Sequence, residues 1–409
     1  MSGGALFQDI VAITPLFFTG ISVVTALGRG LQQNQDALTR RLPGLRPCDF
    51  KHTRLDTWIG RVSGLEQVSL PENLANYDCR NNRLAMTGLQ QDNFIDAVER
   101  ARQKYGTDRI GVFIGTSTSG VQQTEWAYRH RQQDSGKLPE SFHYGETQNN
   151  FSVADFVQRY LGLSGIALAV STACSSSAKV FASAHHYIKA GLCDAAVVGG
   201  VDSLCLTTLY GFSSLELVST QACRPGDQDR DGISIGEGAG FVLLESDPAN
   251  NSESTVALLG YGESSDAYHM SSPHPEGLGA SIAMQAALDT SGLDPQDIDY
   301  INLHGTATPA NDLAEDKAVS KLFGASVACS STKGWTGHTL GAAGVIGVAT
   351  GYICIQNNFM PGSLNTVNID SGLTSNIIIE NRNQSVQRVL CNAFGFGGSN
   401  CCLVIGRAQ

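Results

Sequence analysis

The chain has 409 residues, 42% of them apolar, a formal net charge of −11 and only 16% charged residues. That is enough apolar material for a large core and two or three domain-sized units. The acidic balance argues against nucleic-acid binding, which needs clustered Lys and Arg. The nearest approaches to a local basic patch are Arg80 with Arg83 and Arg129 with Arg131. The eleven cysteines are scattered and follow no signal peptide, because Asp9, Pro15 and a start without basic residues oppose export. They read as reduced thiols of a cytoplasmic protein. No stretch is expected to span a membrane.

In chain order, Asp92 to Lys104 carries Phe94, Ile95, Val98 and Ala101 on one face and predicts an amphipathic helix. Next comes an apolar strand, Arg109 to Ile114, ending in the small-residue loop Gly115 to Gly120. This loop lacks the lysine and spacing of a phosphate loop, so no nucleotide cofactor is expected. Residues 121–150 are polar and aromatic and read as an insertion or subunit-contact region. The strand Gly165 to Val170 turns through Ser171-Thr172-Ala173 into Cys174 and a helix from Ser175 to Ala190. A thiol at a helix N-terminus is expected to be stabilised as thiolate and to be nucleophilic. A glycine-rich turn and strand, Gly236 to Leu244, close this half, and 245–256 read as a linker.

The second half repeats these events in order. The strand Ile298 to Leu303 ends in His304-Gly305-Thr306-Ala307-Thr308, a helix is predicted from Asp312 to Leu322, and Ser326 to Thr332 echoes the strand before Cys174. After Lys333 and Thr336-Gly337-His338 comes a helix from Leu340 to Gln356, apolar almost all round and therefore buried. It contains Gly341, Gly344, Gly347 and Gly351, which predict the close approach of another backbone. Gly395 to Ile405 is again a glycine turn and strand. The pattern predicts a duplicated α/β fold, residues 1–250 carrying the cysteine and 251–409 the two histidines.

Cys174, His304 and His338 therefore occupy matching ends of the two halves and are the candidate catalytic set, with both imidazoles neutral if desolvated. A buried Lys333 would need a carboxylate partner, and Glu315 is the candidate. His185, His186, His269 and His274 fit no zinc spacing and are assigned structural or rim positions, so no metal is expected.

Taken together, Thr172 to Ser176, Asp229 to Gly232 with Gly236 to Gly240, His304 to Thr308 with Asn311, Asp312 and Glu315, Lys333 to Gly344, and Phe394 to Asn400 resemble the β-ketoacyl-acyl carrier protein synthases over nearly the whole chain. The run Ser331 to His338 is similar to ketosynthases of bacterial aryl polyene pathways. The resemblance implies the thiolase-like fold, two βαβαβ halves in an α-β-α-β-α sandwich, and no cofactor. It implies condensation of an acyl chain on Cys174 with malonyl carrier protein, helped by His304 and His338. Backbone N–H groups of Cys174 and Phe396 would form the oxyanion hole, a Lys333–Glu315 pair would hold the histidine loop, and Phe396 and Phe212 would gate the acyl pocket. The implied partners are an acyl carrier protein, met by Arg80 and Arg83, malonyl- and acyl-thioesters, and a second subunit, identical or related. A non-condensing chain-length-determining subunit would usually lack the nucleophile. A thiolase would need a second cysteine where this chain has Phe394-Gly395-Phe396-Gly397-Gly398.

Overall fold

The computed structural model describes residues 12–247 and 255–407. Most of the expected linker, and Asp9 near the start of the chain, lie outside the described residues.

Five main strands form the core sheet of each half, to which the short segments Gly28–Arg29 and Asn376–Ile377 add one pairing each. The first half has β1 (Leu16–Thr25), β2 (Ile110–Gly115), β3 (Ala167–Val170), β4 (Ala195–Asp202) and β5 (Gly238–Glu245), hydrogen-bonded in the order β1-β5-β4-β2-β3. The second has β6 (Val256–Ser265), β7 (Tyr300–Asn302), β8 (Ala328–Ser330), β9 (Arg388–Gly395) and β10 (Ser399–Arg407), in the order β6-β10-β9-β7-β8. In both, the first two pairings are antiparallel and the last two parallel. Antiparallel pairing of Leu16 with Leu258 and of Phe17 with Ala257 joins β1 to β6, so the halves share one hydrogen-bonded network. The parallel strands read as near-continuous Val, Ile, Ala and Leu because both faces are covered by helices.

The helix α1 (Phe94–Tyr105) covers an outer face of the first half, burying Phe94, Ala97, Val98 and Ala101, while α2 (Val121–Arg129) begins the predicted insertion. Two small-residue helices, α3 (Ser176–Lys189) and, in the second half, α6 (Ala343–Asn357), form the central layer between the half-sheets. Between them in the chain lie α4 (Leu206–Ser214) and α5 (Pro309–Phe323). The stretch Leu340–Asn357 is apolar and long enough to cross a membrane by length and composition alone, but 78% of it is buried inside the protein.

Close contact between α3 and α6 explains part of the glycine run. A Cβ at Gly344 would lie 2.5 Å from the Ala178 backbone nitrogen, and the Val345 N–H donates to Ser177 Oγ at 3.0 Å. Gly347 and Gly351 face side chains instead, Asn302 and Ile405. All eleven cysteines are free of disulfides.

Candidate active site

The strand β3 delivers Cys174 through a turn in which Ala173 adopts φ +51°. A non-glycine residue in that region costs about 1–3 kcal/mol and needs local restraint. Ser176 supplies it, its hydroxyl donating to the Ala173 carbonyl at 2.6 Å and accepting the Thr172 N–H at 2.9 Å. Cys174 is thereby set just ahead of α3, 4% exposed.

The expectation of a stabilised thiolate is corrected here. Burial pushes the Cys174 thiol up to about 12, against the opposing pull of Lys333 and of the backbone N–H groups of Cys174 and Phe396. Desolvation outweighs the helix terminus because the sulfur is almost wholly buried.

His338 follows Gly337 and is fixed on both sides, its N–H donating to Ser234 O at 2.7 Å and its carbonyl accepting from Gly236 N at 2.9 Å. The Nε2 atom lies 3.0 Å from Cys174 Sγ, and Nδ1 accepts the Leu340 N–H at 3.3 Å. An Nδ1 that accepts places the ring proton on Nε2, so Nε2–H donates toward the sulfur. His304 lies two residues past the end of β7, with its ring centroid 5.3 Å from that of His338 at an interplanar angle of 84°. Lys333 Nζ lies 3.4 Å from His304 Nδ1 and also donates to the His304 carbonyl. An ammonium can only donate, so His304 likewise carries its proton on Nε2. Burial first, then Lys333, holds both imidazoles well below their ordinary pKa, so they are neutral at pH 7.

Glu315 receives the N–H groups of His304 and Gly305 at 2.8 and 2.7 Å. Burial pushes its carboxyl up, and these donors together with Asn392 oppose the shift. The expected direct Lys333–Glu315 pair is not formed. The lysine is spent on the His304 carbonyl and the carboxylate on backbone amides, so the two grip one loop from different sides.

Asn392, which donates to Glu315 at 2.9 Å, was not anticipated from the sequence. The available signal was a polar residue inside the buried strand Val389 to Phe394. Glu125, on α2 and away from the cavity, has a structural part, its carboxylate accepting Leu206 N–H at 3.2 Å and Thr207 N–H at 2.6 Å at the start of α4.

The three candidate side chains meet at a cavity of about 260 Å³, also lined by Phe212, Leu217, Ile233 and Phe396. The Phe212 and Phe396 rings stand 5.4 Å apart, which puts the expected gate and pocket residues together. No cysteine but Cys174 lines this cavity, so its Phe394 to Gly398 wall offers none of the second thiol a thiolase needs. The ligand atoms of Cys174, His304 and His338 lie within 4.8 Å of one another, a spacing a metal could use. The tautomers oppose that use, since both Nε2 atoms carry protons and are donors suited to an oxyanion.

Arg80 is not a surface charge. It is 8% exposed, donating from Nη2 to Glu237 at 2.6 Å and from Nη1 to Glu66 at 2.6 Å. Its helix, Arg80 to Leu89, is buried on nearly every side and turns the guanidinium inward. Arg83 is more open but is held by Asp78 at 2.5 Å through both Nε and Nη2, which neutralises it locally. Arg129 and Arg131 line an open cleft beside Tyr128. His185 and His186 both contact the Tyr261 hydroxyl, at 3.0 and 2.9 Å, and His274 packs against Tyr268 near the cavity mouth.

Two family profiles match the chain: Beta-ketoacyl synthase, N-terminal domain, over residues 14–249, and Beta-ketoacyl synthase, C-terminal domain, over 256–367. The 3-oxoacyl-[acyl-carrier-protein] synthase 2 of Vibrio cholerae is 30% identical, covering 95% of this chain and 98% of its own. The protein of the same name from Staphylococcus aureus strain COL is 31% identical, with 96% and 98% covered. Among solved structures, a chain from the complex of a ketosynthase (ApeO) with its chain length factor (ApeC) from Xenorhabdus doucetiae is 34% identical, with TM-score 0.86 and both chains covered in full. A beta-ketoacyl synthase from Burkholderia phymatum is 27% identical, with TM-score 0.86 and 97% and 100% covered.

Proposed function

Because the chain belongs to the β-ketoacyl synthase family, we propose that it catalyses decarboxylative condensation of a Cys174-bound acyl chain with a malonyl group carried on an acyl carrier protein. The observation that carries this reading is the convergence of one thiol and two neutral Nε2–H donors on one cavity.

In the first step the Cys174 sulfur attacks the acyl thioester carbonyl. The oxyanion is held by the Cys174 and Phe396 N–H groups, and the carrier thiol leaves with the cysteine proton. In the second, the bond between carboxylate and methylene carbon of the malonyl group breaks and carbon dioxide departs. The electron pair moves into an enolate whose oxygen is held by His304 and His338. In the third, the methylene carbon attacks the Cys174 thioester, the carbon–sulfur bond breaks, and the sulfur leaves as thiolate and takes up a proton from solvent as the β-ketoacyl carrier forms. No proton is removed from carbon, so two donors serve better than a base. Neutral rings supply them without the cost of burying imidazolium.

The role of Lys333, Glu315 and Asn392 is to hold the His304 loop, and that of Phe212 and Phe396 is to guard the acyl side of the cavity. The halves, 1–250 and 251–409, are assigned as the units bearing nucleophile and donors. The likeness to a ketosynthase–chain length factor complex supports a related second subunit, and that of the Ser331 to His338 run to aryl polyene ketosynthases supports a polyketide-type product. Free cysteines and burial of the apolar helix α6 fit a cytoplasmic enzyme. Intact-mass measurement after incubation with an acyl carrier tests the proposal. A condensing enzyme gains one acyl adduct, lost in Cys174→Ala, whereas a silent chain-length subunit gains none.

A further inference from the structure

We propose that Asp202 is a positioning residue for the condensation. Its carboxylate holds the Leu340-Gly341 turn so that the Leu340 N–H keeps the His338 proton on Nε2. The inference rests on the condensing reading above and assigns a task to a residue outside the cavity.

Asp202 ends β4 and is fully buried. Among the described residues no lysine or arginine pairs with it, and a buried carboxylate without a cation is stable only when densely hydrogen-bonded. The donors are all present. Thr116 Oγ1 donates at 2.7 Å, Ser117 N at 2.8 Å, and Thr118 N and Oγ1 both at 2.9 Å, with the Ser117 hydroxyl as a further donor. Those come from the first half of the chain. The remaining donor is Gly341 N, at 2.6 Å, from the second half.

That last bond falls on a strained turn. Leu340 adopts φ +51°, a conformation that costs a bulky residue about 1–3 kcal/mol and persists only where its surroundings over-determine it. The Asp202 bond to the next residue is one restraint, and the Ala342 N–H on Thr339 O at 3.0 Å is another. Glycine at 341 is what admits the carboxylate, because a Cβ there would lie 2.7 Å from Asp202 Oδ2 and 2.8 Å from Ser117 N. The direction of the Leu340 N–H follows from this turn. If it swings away, Nδ1 loses its donor, and part of the population shifts its proton to Nδ1. The Nε2 lone pair of those molecules faces the enolate oxygen and repels it.

The test uses the whole protein labelled with ¹⁵N-histidine, with long-range ¹H–¹⁵N spectra showing which His338 nitrogen is protonated. The signal is assigned by its loss in His338→Ala. Wild type is expected to show Nε2–H. Asp202→Asn and Gly341→Ala are expected to show mixed tautomers and to decarboxylate malonyl carrier about tenfold more slowly or worse, while Cys174 still takes an acyl group. Thr116→Val removes one donor from the carboxylate without altering the turn's own residues, and so loosens the hold of Asp202 on the Gly341 N–H. It serves if the other two fail to fold, and moves both readouts the same way to a smaller extent.

A folded Asp202→Asn or Gly341→Ala protein with unchanged tautomer and unchanged decarboxylation overturns the proposal, as does wild-type His338 protonated on Nδ1. Failure of the condensing reading looks different: the wild type would then neither load acyl groups nor decarboxylate.

Discussion

The backbone N–H of Leu340 donates to Nδ1 of His338 at 3.3 Å, while Nε2 of the same ring reaches Cys174 Sγ at 3.0 Å. One amide thus decides that this imidazole donates to the reacting atoms and does not accept from them. Replacing His304 or His338 by alanine is expected to slow malonyl decarboxylation by about 10²–10³-fold, the usual scale for loss of an oxyanion donor. Acyl loading should suffer less, since its oxyanion lies on backbone amides. Carbon dioxide release and intact mass, measured on the same variants, separate the two steps.

Both rings also predict an acid-sensitive fold. Their folded-state pKa values lie well below 6.5, whereas the unfolded chain takes up protons near 6.5. In the window between those values the unfolded state binds more protons than the native one. The contribution of these rings to stability is therefore intact above about pH 6.5 and is lost as pH falls through that window. Melting temperature followed from pH 8 to pH 5 should decline, and His338→Ala should flatten the decline. An equal slope in wild type and variant would count against buried neutral imidazole.

Arg80 predicts a stability phenotype in place of a docking one. Its side chain is 6% exposed and its partner Glu237 0%, and Glu237 also accepts the Val62 and Leu204 N–H groups. Removing the guanidinium leaves that carboxylate buried and uncompensated, so Arg80→Ala should cost about 3–5 kcal/mol in chemical denaturation. Carrier affinity of the folded fraction should be unchanged at low salt.

Phe212 and Phe396 stand 5.4 Å apart in the wall of the cavity, the side proposed to take the acyl chain. Phe212→Ala should shift the ratio of kcat/KM for long against short acyl groups by roughly tenfold toward long, the range expected when a pocket gains room for a few methylenes. Competition between two acyl carriers of different chain length reads this ratio directly.

The order of events along the chain was legible because it follows from local pattern. Apolar runs gave the strands before Cys174 and His304, and a helix apolar all round had to be the central one. The matching strand orders of the halves are consistent with the repeat read from the motifs. What escaped depends on burial and on contacts between distant positions. The Cys174 thiol is governed by desolvation, which no helix-terminus argument measures. Arg80 was misplaced because Arg80, Asn81 and Asn82 look like a polar surface turn although all are buried. Lys333 and Glu315 both bind the His304 loop, but sequence spacing carries no information on which of its atoms each would bind.

The first described strand, β1, lies between β5 and β6, pairing with residues near 238–245 on one edge and 257–258 on the other. Apart from a short hairpin in which Val24 and Thr25 pair with Arg29 and Gly28, its strand partners are thus made more than two hundred residues later. During synthesis the length of that strand before Val24 stays unpaired until more than half of the chain has emerged, so chain entropy delays the closing of both sheets. A nascent chain stalled before residue 238 should therefore stay protease-sensitive at its N-terminal end, and maturation of this protein should depend on holding factors that shield an exposed strand edge.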